Sequence, residues 1–179
     1  AEVSETENGT KITFSLFSPD GDQNYPGNAD IRVSYTLTNA DELRIDYNMT
    51  CDEDTIANFT NHAYFNLAGQ ATGSAMHQKV WIDADQFTIA DQYSIPTGEL
   101  VPVKGTPMDF TTLKYIDQDI AADYEPLKFA GGYDHNWVLQ NHGNLEKVAQ
   151  VEDDASGIVM DAYTDLPGVQ FYAGNFITP

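Results

Sequence analysis

Positive charge is what this sequence has least of. Lys and Arg number 8 against 28 Asp and Glu, a formal net charge of −20 with a pI near 4.1. A surface of that sign repels phosphate backbones and anionic membranes, so neither nucleic acid nor a membrane is expected as a partner, and a neutral substrate suits it better than an anionic one. The same acidity also serves plain solubility or a salty habitat. Cysteine occurs once, at Cys51, which rules out an internal disulfide and fits a reducing compartment. No apolar run approaches the roughly 20 residues that span a bilayer. The opening "AEVSETENGT" has neither the basic nor the apolar region of a signal peptide, so the expected location is cytoplasmic. The Asn-x-Thr triplets at Asn8, Asn48 and Asn58 are then read as chance. Helical signal is weak too, limited to a short turn around Tyr115–Ala121, and no repeat, linker or low-complexity tract interrupts the chain.

What the sequence has is alternation. Its 179 residues are 41% hydrophobic and 12% aromatic, enough for one folded domain with a real core. "TKITFSLFSP" puts Ile12, Phe14 and Leu16 on one face, "ADIRVSYTLT" does so with Ile31, Val33, Tyr35 and Leu37, and "ELRIDYNMT" with Leu43, Ile45, Tyr47 and Met49. Period two marks half-buried strands, and "TNAD" between the last two predicts a hairpin over residues 31–49. Further strands are expected at Val80–Ala84, Trp137–Leu139, Ala149–Glu152, Ile158–Tyr163 and Gln170–Gly174. Many short strands between Gly, Pro, Asn and Asp turns predict an all-β antiparallel sandwich spanning residues 1–179 as a single domain.

The chemistry concentrates in "TIANFTNHAYFNLAG", residues 55–69. Read as a strand, it places Asn58, Thr60, His62, Tyr64 and Asn66 on one face and Ala57, Phe59, Ala63, Phe65 and Leu67, with Asn61, on the other. Buried, such a row of hydrogen-bonding groups needs partners, since each unpaired one costs about 1–3 kcal/mol. Solvent or a sugar could supply them, and periodicity leaves a solvated face and a polar ligand cleft both open.

"TNHAYFNLAG" resembles a motif of the aldose 1-epimerase (galactose mutarotase) family, and it does not stand alone. "SPDGDQNYPG", "IPTGELVPVKGTPMDF", "GGYDHNWVL" and "PGVQFYAGNF" are similar to further family blocks, in family order. The resemblance implies a large antiparallel sandwich of the galactose mutarotase-like supersandwich type. It also implies interconversion of the α and β anomers of free hexoses such as galactose or glucose, without metal or organic cofactor. A carboxylate base takes the anomeric hydroxyl proton, a histidine protonates the ring oxygen, and the ring opens and recloses on its other face. By this resemblance His62 is the acid, which suits an imidazole whose unperturbed pKa is near 6.5. Asp134 of "GYDHN" and Gln170 of "PGVQFY" hold sugar hydroxyls, and Tyr64, two residues past His62, lines the pocket or packs.

The other candidates weigh less. Trp137 is expected in the core rather than under a sugar, and His135 is expected to project away from Asp134. His77 and His142 sit in polar, loop-like stretches; Glu99 follows Pro96 and Gly98, read as a turn; and the acidic runs Asp52–Asp54 and Glu152–Asp154 are read as solvated loop charge. The family's Asn-Arg pair, its second histidine and its glutamate base have no counterpart here. The chain is therefore expected to be a fragment of the family fold, whose partners include the rest of the sandwich or a second copy. A non-catalytic carbohydrate-binding module on the same scaffold is the alternative. A sugar-phosphate substrate is disfavoured, because a phosphate site wants Arg or Lys.

Overall fold

A computed structural model describes residues 1–177, and the chain divides into two compact units, Ala1–Ala63 and the residues from Tyr64 onward. The first unit is a four-stranded antiparallel meander of β1 (Glu2–Thr6), β2 (Gly9–Ser18), β3 (Ala29–Thr38) and β4 (Leu43–Cys51), in that order. Register pairs Ile12 with Tyr35, Val33 with Tyr47 and Leu37 with Leu43, so the predicted hairpin and its apolar face are both present. Gly9 is required where β2 begins: its φ is +148°, and a Cβ there would lie 2.1 Å from the Leu37 carbonyl oxygen. The opposite face is polar, with Thr13 and Ser34 hydroxyls joined across strands at 2.9 Å. Within the unit the apolar face is covered in part, Phe59 stacking on Tyr47, while Phe14, Leu16 and Leu37 are 51%, 61% and 63% exposed.

The second unit closes on itself. Its strands are β5 (Lys79–Ile82), β6 (Ala84–Ala90), β7 (Pro96–Pro102), β8 (Lys114–Tyr115), β9 (Asp134–Leu139), β10 (Glu146–Glu152), β11 (Val159–Thr164) and β12 (Gly168–Tyr172). They form two antiparallel sheets, ordered β11-β10-β5-β8 and β12-β9-β6-β7. Side chains from both sheets meet in one core that includes Ile82, Phe87, Phe110, Tyr133, Trp137 and Val148. This is the expected sandwich. Trp137 lies in its centre as expected, fully buried, and its indole N–H donates to the Met108 carbonyl at 3.0 Å.

Several expectations fail here. Residues 54–66 form no strand. Asn61 Oδ1 accepts the Ala63 N–H and Asn66 Oδ1 accepts the Ala68 N–H, both at 3.1 Å, so side chains capture backbone donors that a ladder would use. Phe65, on the apolar face of the strand reading, is 54% exposed. Pro96 and Gly98 belong to strand β7 rather than to a turn. One helix, α1 (Glu125–Ala130), was not anticipated; proline near its start and Gly131 in the left-handed region at its end bound it. The acidic run at 152–154 is not wholly solvated, because Asp153 is buried, its Oδ1 accepting the Ala155 N–H at 2.9 Å. Its neighbour Asp154 binds Lys79 and the Tyr115 hydroxyl at 2.7 and 2.8 Å. In the other run, Asp52 accepts the backbone and side-chain N–H groups of Asn28.

Candidate functional site

The pairing of β9 with β12 sorts the candidates by face. Asp134 stands opposite Tyr172 and Asn136 opposite Gln170, so these four side chains share the sheet's outer face. His135, Trp137 and Phe171 alternate onto the inner face, where their rings pack together with Phe87 and Phe110. Gln170 Nε2 donates to Asp134 Oδ1 at 2.8 Å. That single bond leaves the second carboxylate oxygen, the other amide hydrogen and the amide oxygen for a ligand. A vicinal diol, each hydroxyl both donor and acceptor, matches the set. Beside the pair opens a cleft of about 160 Å³, lined among others by Ser94, Pro126, Phe129 and Asn136. Asn136 Nδ2 donates to Thr88 Oγ1 at 3.0 Å, which braces the strand under Gln170.

Asp134 is held from behind. Its backbone N–H donates to His135 Nδ1 at 3.1 Å, which places the imidazole proton on Nε2, facing the Pro126 carbonyl. Burial among aromatic rings pushes the His135 pKa down, so the ring sits neutral as a structural acceptor rather than as a proton donor to substrate. The loop that delivers Asp134 is clamped as well. Asn175 Nδ2 donates to the carbonyls of Ala130 at 3.1 Å and Tyr133 at 2.9 Å, and Ala173 N–H reaches the same Tyr133 oxygen at 3.0 Å. Gly132 makes the approach possible: its φ is +142°, and a Cβ would lie 2.3 Å from Asn175 Oδ1.

Tyr64 joins this group through Tyr172, the two rings meeting edge-on at 6.0 Å. Tyr64, Asp134 and Gln170 are thus gathered in the second unit, whereas His62 belongs to the first. His62 is exposed on an irregular strap anchored on either side of the preceding residues: Phe59 stacks on Tyr47 with centroids 5.8 Å apart, and Asn61 Nδ2 donates to the Tyr35 hydroxyl at 3.3 Å. Tyr172, Asn175 and Gly132 escaped the sequence reading. The phase of Gln170 was a usable signal for Tyr172, two residues on; the Asn175 clamp joins positions about forty residues apart and leaves no local pattern. His77 lies with Nε2 3.9 Å from buried Asp153, and His142 is exposed. Among the described residues, no group of three or more His, Cys, Asp or Glu side chains could hold a metal ion.

Comparison with known proteins adds independent findings. A sequence model of the aldose 1-epimerase family matches residues 2–178. Human galactose mutarotase is 40% identical over 166 residues, which is 93% of this chain and 47% of that protein. The aldose 1-epimerase of Escherichia coli K12 is 39% identical over 172 residues, 96% of this chain and 49% of that one. Among solved structures, galactose 1-epimerase from Lactobacillus acidophilus superimposes with a TM-score of 0.86 at 28% identity, covering 98% of this chain and 50% of that one. An aldose epimerase homologue from C. elegans gives 0.82 at 26%, with 98% and 52% covered. The chain spans about half the length of the curated relatives it matches.

Proposed function

Because the chain belongs to the aldose 1-epimerase family, we propose that it carries much of the sugar-handling machinery of a mutarotase, an isomerase that interconverts the α and β anomers of free hexoses such as galactose or glucose. The observation that carries this reading is the Asp134–Gln170 pair, bonded at 2.8 Å on the outer face of β9 and β12. A carboxylate and an amide so joined hold two neighbouring sugar hydroxyls. The ring opening that follows needs an acid. His62 is that acid. Its imidazolium gives a proton to the ring oxygen as the C1–O5 bond breaks, and takes one back when the ring recloses. The carboxylate that removes the anomeric hydroxyl proton is assigned to no residue of this chain. Tyr64 flanks the pair. Among the described residues lining the cleft beside Asp134 none is Lys or Arg, which suits a neutral sugar, and a single free thiol at Cys51 supports a cytoplasmic setting.

Polarimetry of freshly dissolved α-D-galactose tests the proposal. Acceleration of mutarotation by the protein that His62→Ala abolishes is the expected result. Saturable galactose binding with no acceleration would make the chain a binding module instead.

A further inference from the structure

Past Gln170 the chain carries two aromatic rings to which the hydrogen-bonding site gives no role. Tyr172 is in register with Asp134, so its half-buried ring rises from the same face as the carboxylate–amide pair. Phe176 is folded back toward it. Its backbone N–H donates to the Tyr172 hydroxyl oxygen at 2.9 Å, and the two rings lie 6.4 Å apart, inclined by only 21°. Phe176 nevertheless stays 68% exposed. The turn that presents it is fixed: Asn175 grips two carbonyls of the loop before Asp134, and the Ile177 N–H closes on the Gly174 carbonyl at 3.0 Å. A large ring held in water by a rigid turn, beside a polar clamp, is an apolar surface built for something other than the core.

A pyranose has two kinds of surface. Its hydroxyls need donors and acceptors, while the axial hydrogens of the ring form a weakly positive apolar patch that packs on the negative face of an aromatic ring. Asp134 and Gln170 serve only the first kind. We propose that Tyr172 and Phe176 form an aromatic wall of the sugar site, taking the C–H face of a closed pyranose ring whose hydroxyls Asp134 and Gln170 hold. The proposal rests on the sugar reading above and adds a discrimination that hydrogen bonding alone does not supply. An open-chain polyol offers the same hydroxyls and no ring face, so the wall selects ring over chain.

Saturation-transfer NMR on the 179-residue chain, irradiating aromatic protons, tests this with D-galactose and galactitol as probes. Transfer to the ring C–H protons of galactose, little transfer to galactitol, and affinity for galactose about five- to tenfold weaker in Phe176→Leu are expected. Phe176 is exposed, so that variant retains the fold; Tyr172→Phe, which keeps the ring and releases the turn, serves as a second variant with a smaller loss. Galactose binding that shifts the Gln170 side-chain amide resonance but is indifferent to both variants overturns the wall and leaves the sugar reading standing. Failure of galactose to bind at all overturns both.

Discussion

The two units solve the same problem differently. Both are built from antiparallel strands with one apolar face. In the second unit that face meets another sheet, and Trp137, Phe87 and Phe110 disappear from solvent; in the first, Leu16 and Leu37 stay mostly exposed. Period-two alternation is identical in the two cases, so alternation reports which side of a strand is greasy and not whether anything covers it. The difference predicts that the closed unit carries its stability in a few central side chains, while the open sheet carries its own in hairpin register and backbone pairing.

Trp137→Ala is the heaviest blow to that contrast. The indole is wholly buried, meets Phe110, Tyr133 and Phe171 at 5.7–6.3 Å, and anchors the Met108 carbonyl. Removing it is expected to destabilise the second unit by about 3–5 kcal/mol, with a further contribution from the orphaned carbonyl. Urea unfolding followed by tyrosine fluorescence and amide exchange would measure it. A loss under about 1 kcal/mol would mean that the core is not packed as described.

Gly132→Ala comes next and strikes where the closed unit meets its site. An alanine would have to adopt a φ of +142° and displace Asn175, whose Cγ lies 2.8 Å from the new Cβ. Backbone strain plus loss of the clamp should cost about 2–3 kcal/mol, and galactose binding at Asp134 should weaken with it. Gly105→Ala is the control: its φ is +76° but no atom lies within 4 Å of the new methyl, so only the conformational cost of about 1 kcal/mol applies. Equal losses at the two positions would remove Asn175 from the account of how Asp134 is placed.

What could be read in advance followed from phase. β3 and β4 lie where alternation put them, Trp137 sits in the core, and His135 projects away from Asp134, each as expected. Phase failed where side chains compete for the backbone. "TNHAYFN" alternates like a strand, yet Asn61 and Asn66 bond neighbouring N–H groups and the segment becomes a strap, so His62 is displayed by a loop and not by a sheet. The burial of Asp153 and the clamp of Asn175 were illegible for another reason: each depends on contacts between distant parts of the chain. The meeting of Asp134 with Gln170 likewise needed the β9–β12 register, because the resemblance assigned both residues to sugar but not to one another.

The smallest expected effect is also the most discriminating. Leu16→Thr removes an apolar side chain from the open face, where it neighbours Ile31 across the β2–β3 pair. In a closed sandwich such a change costs about 2–5 kcal/mol, because a cavity forms and a hydroxyl is buried without partners. Leu16 is 61% exposed, so less than half of its transfer free energy is at stake, and threonine's β-branched side chain suits a strand at least as well. The expected loss is below about 0.5 kcal/mol, the range of ordinary surface substitutions. The variant should also aggregate less, since the exposed patch is smaller and the strand edges beside it are less adhesive. Chemical unfolding monitored by far-UV circular dichroism, with light scattering on the same samples, reads both quantities. If Leu16→Thr instead costs as much as a core truncation, then the face is covered in solution, and the contrast between an open and a closed unit no longer holds.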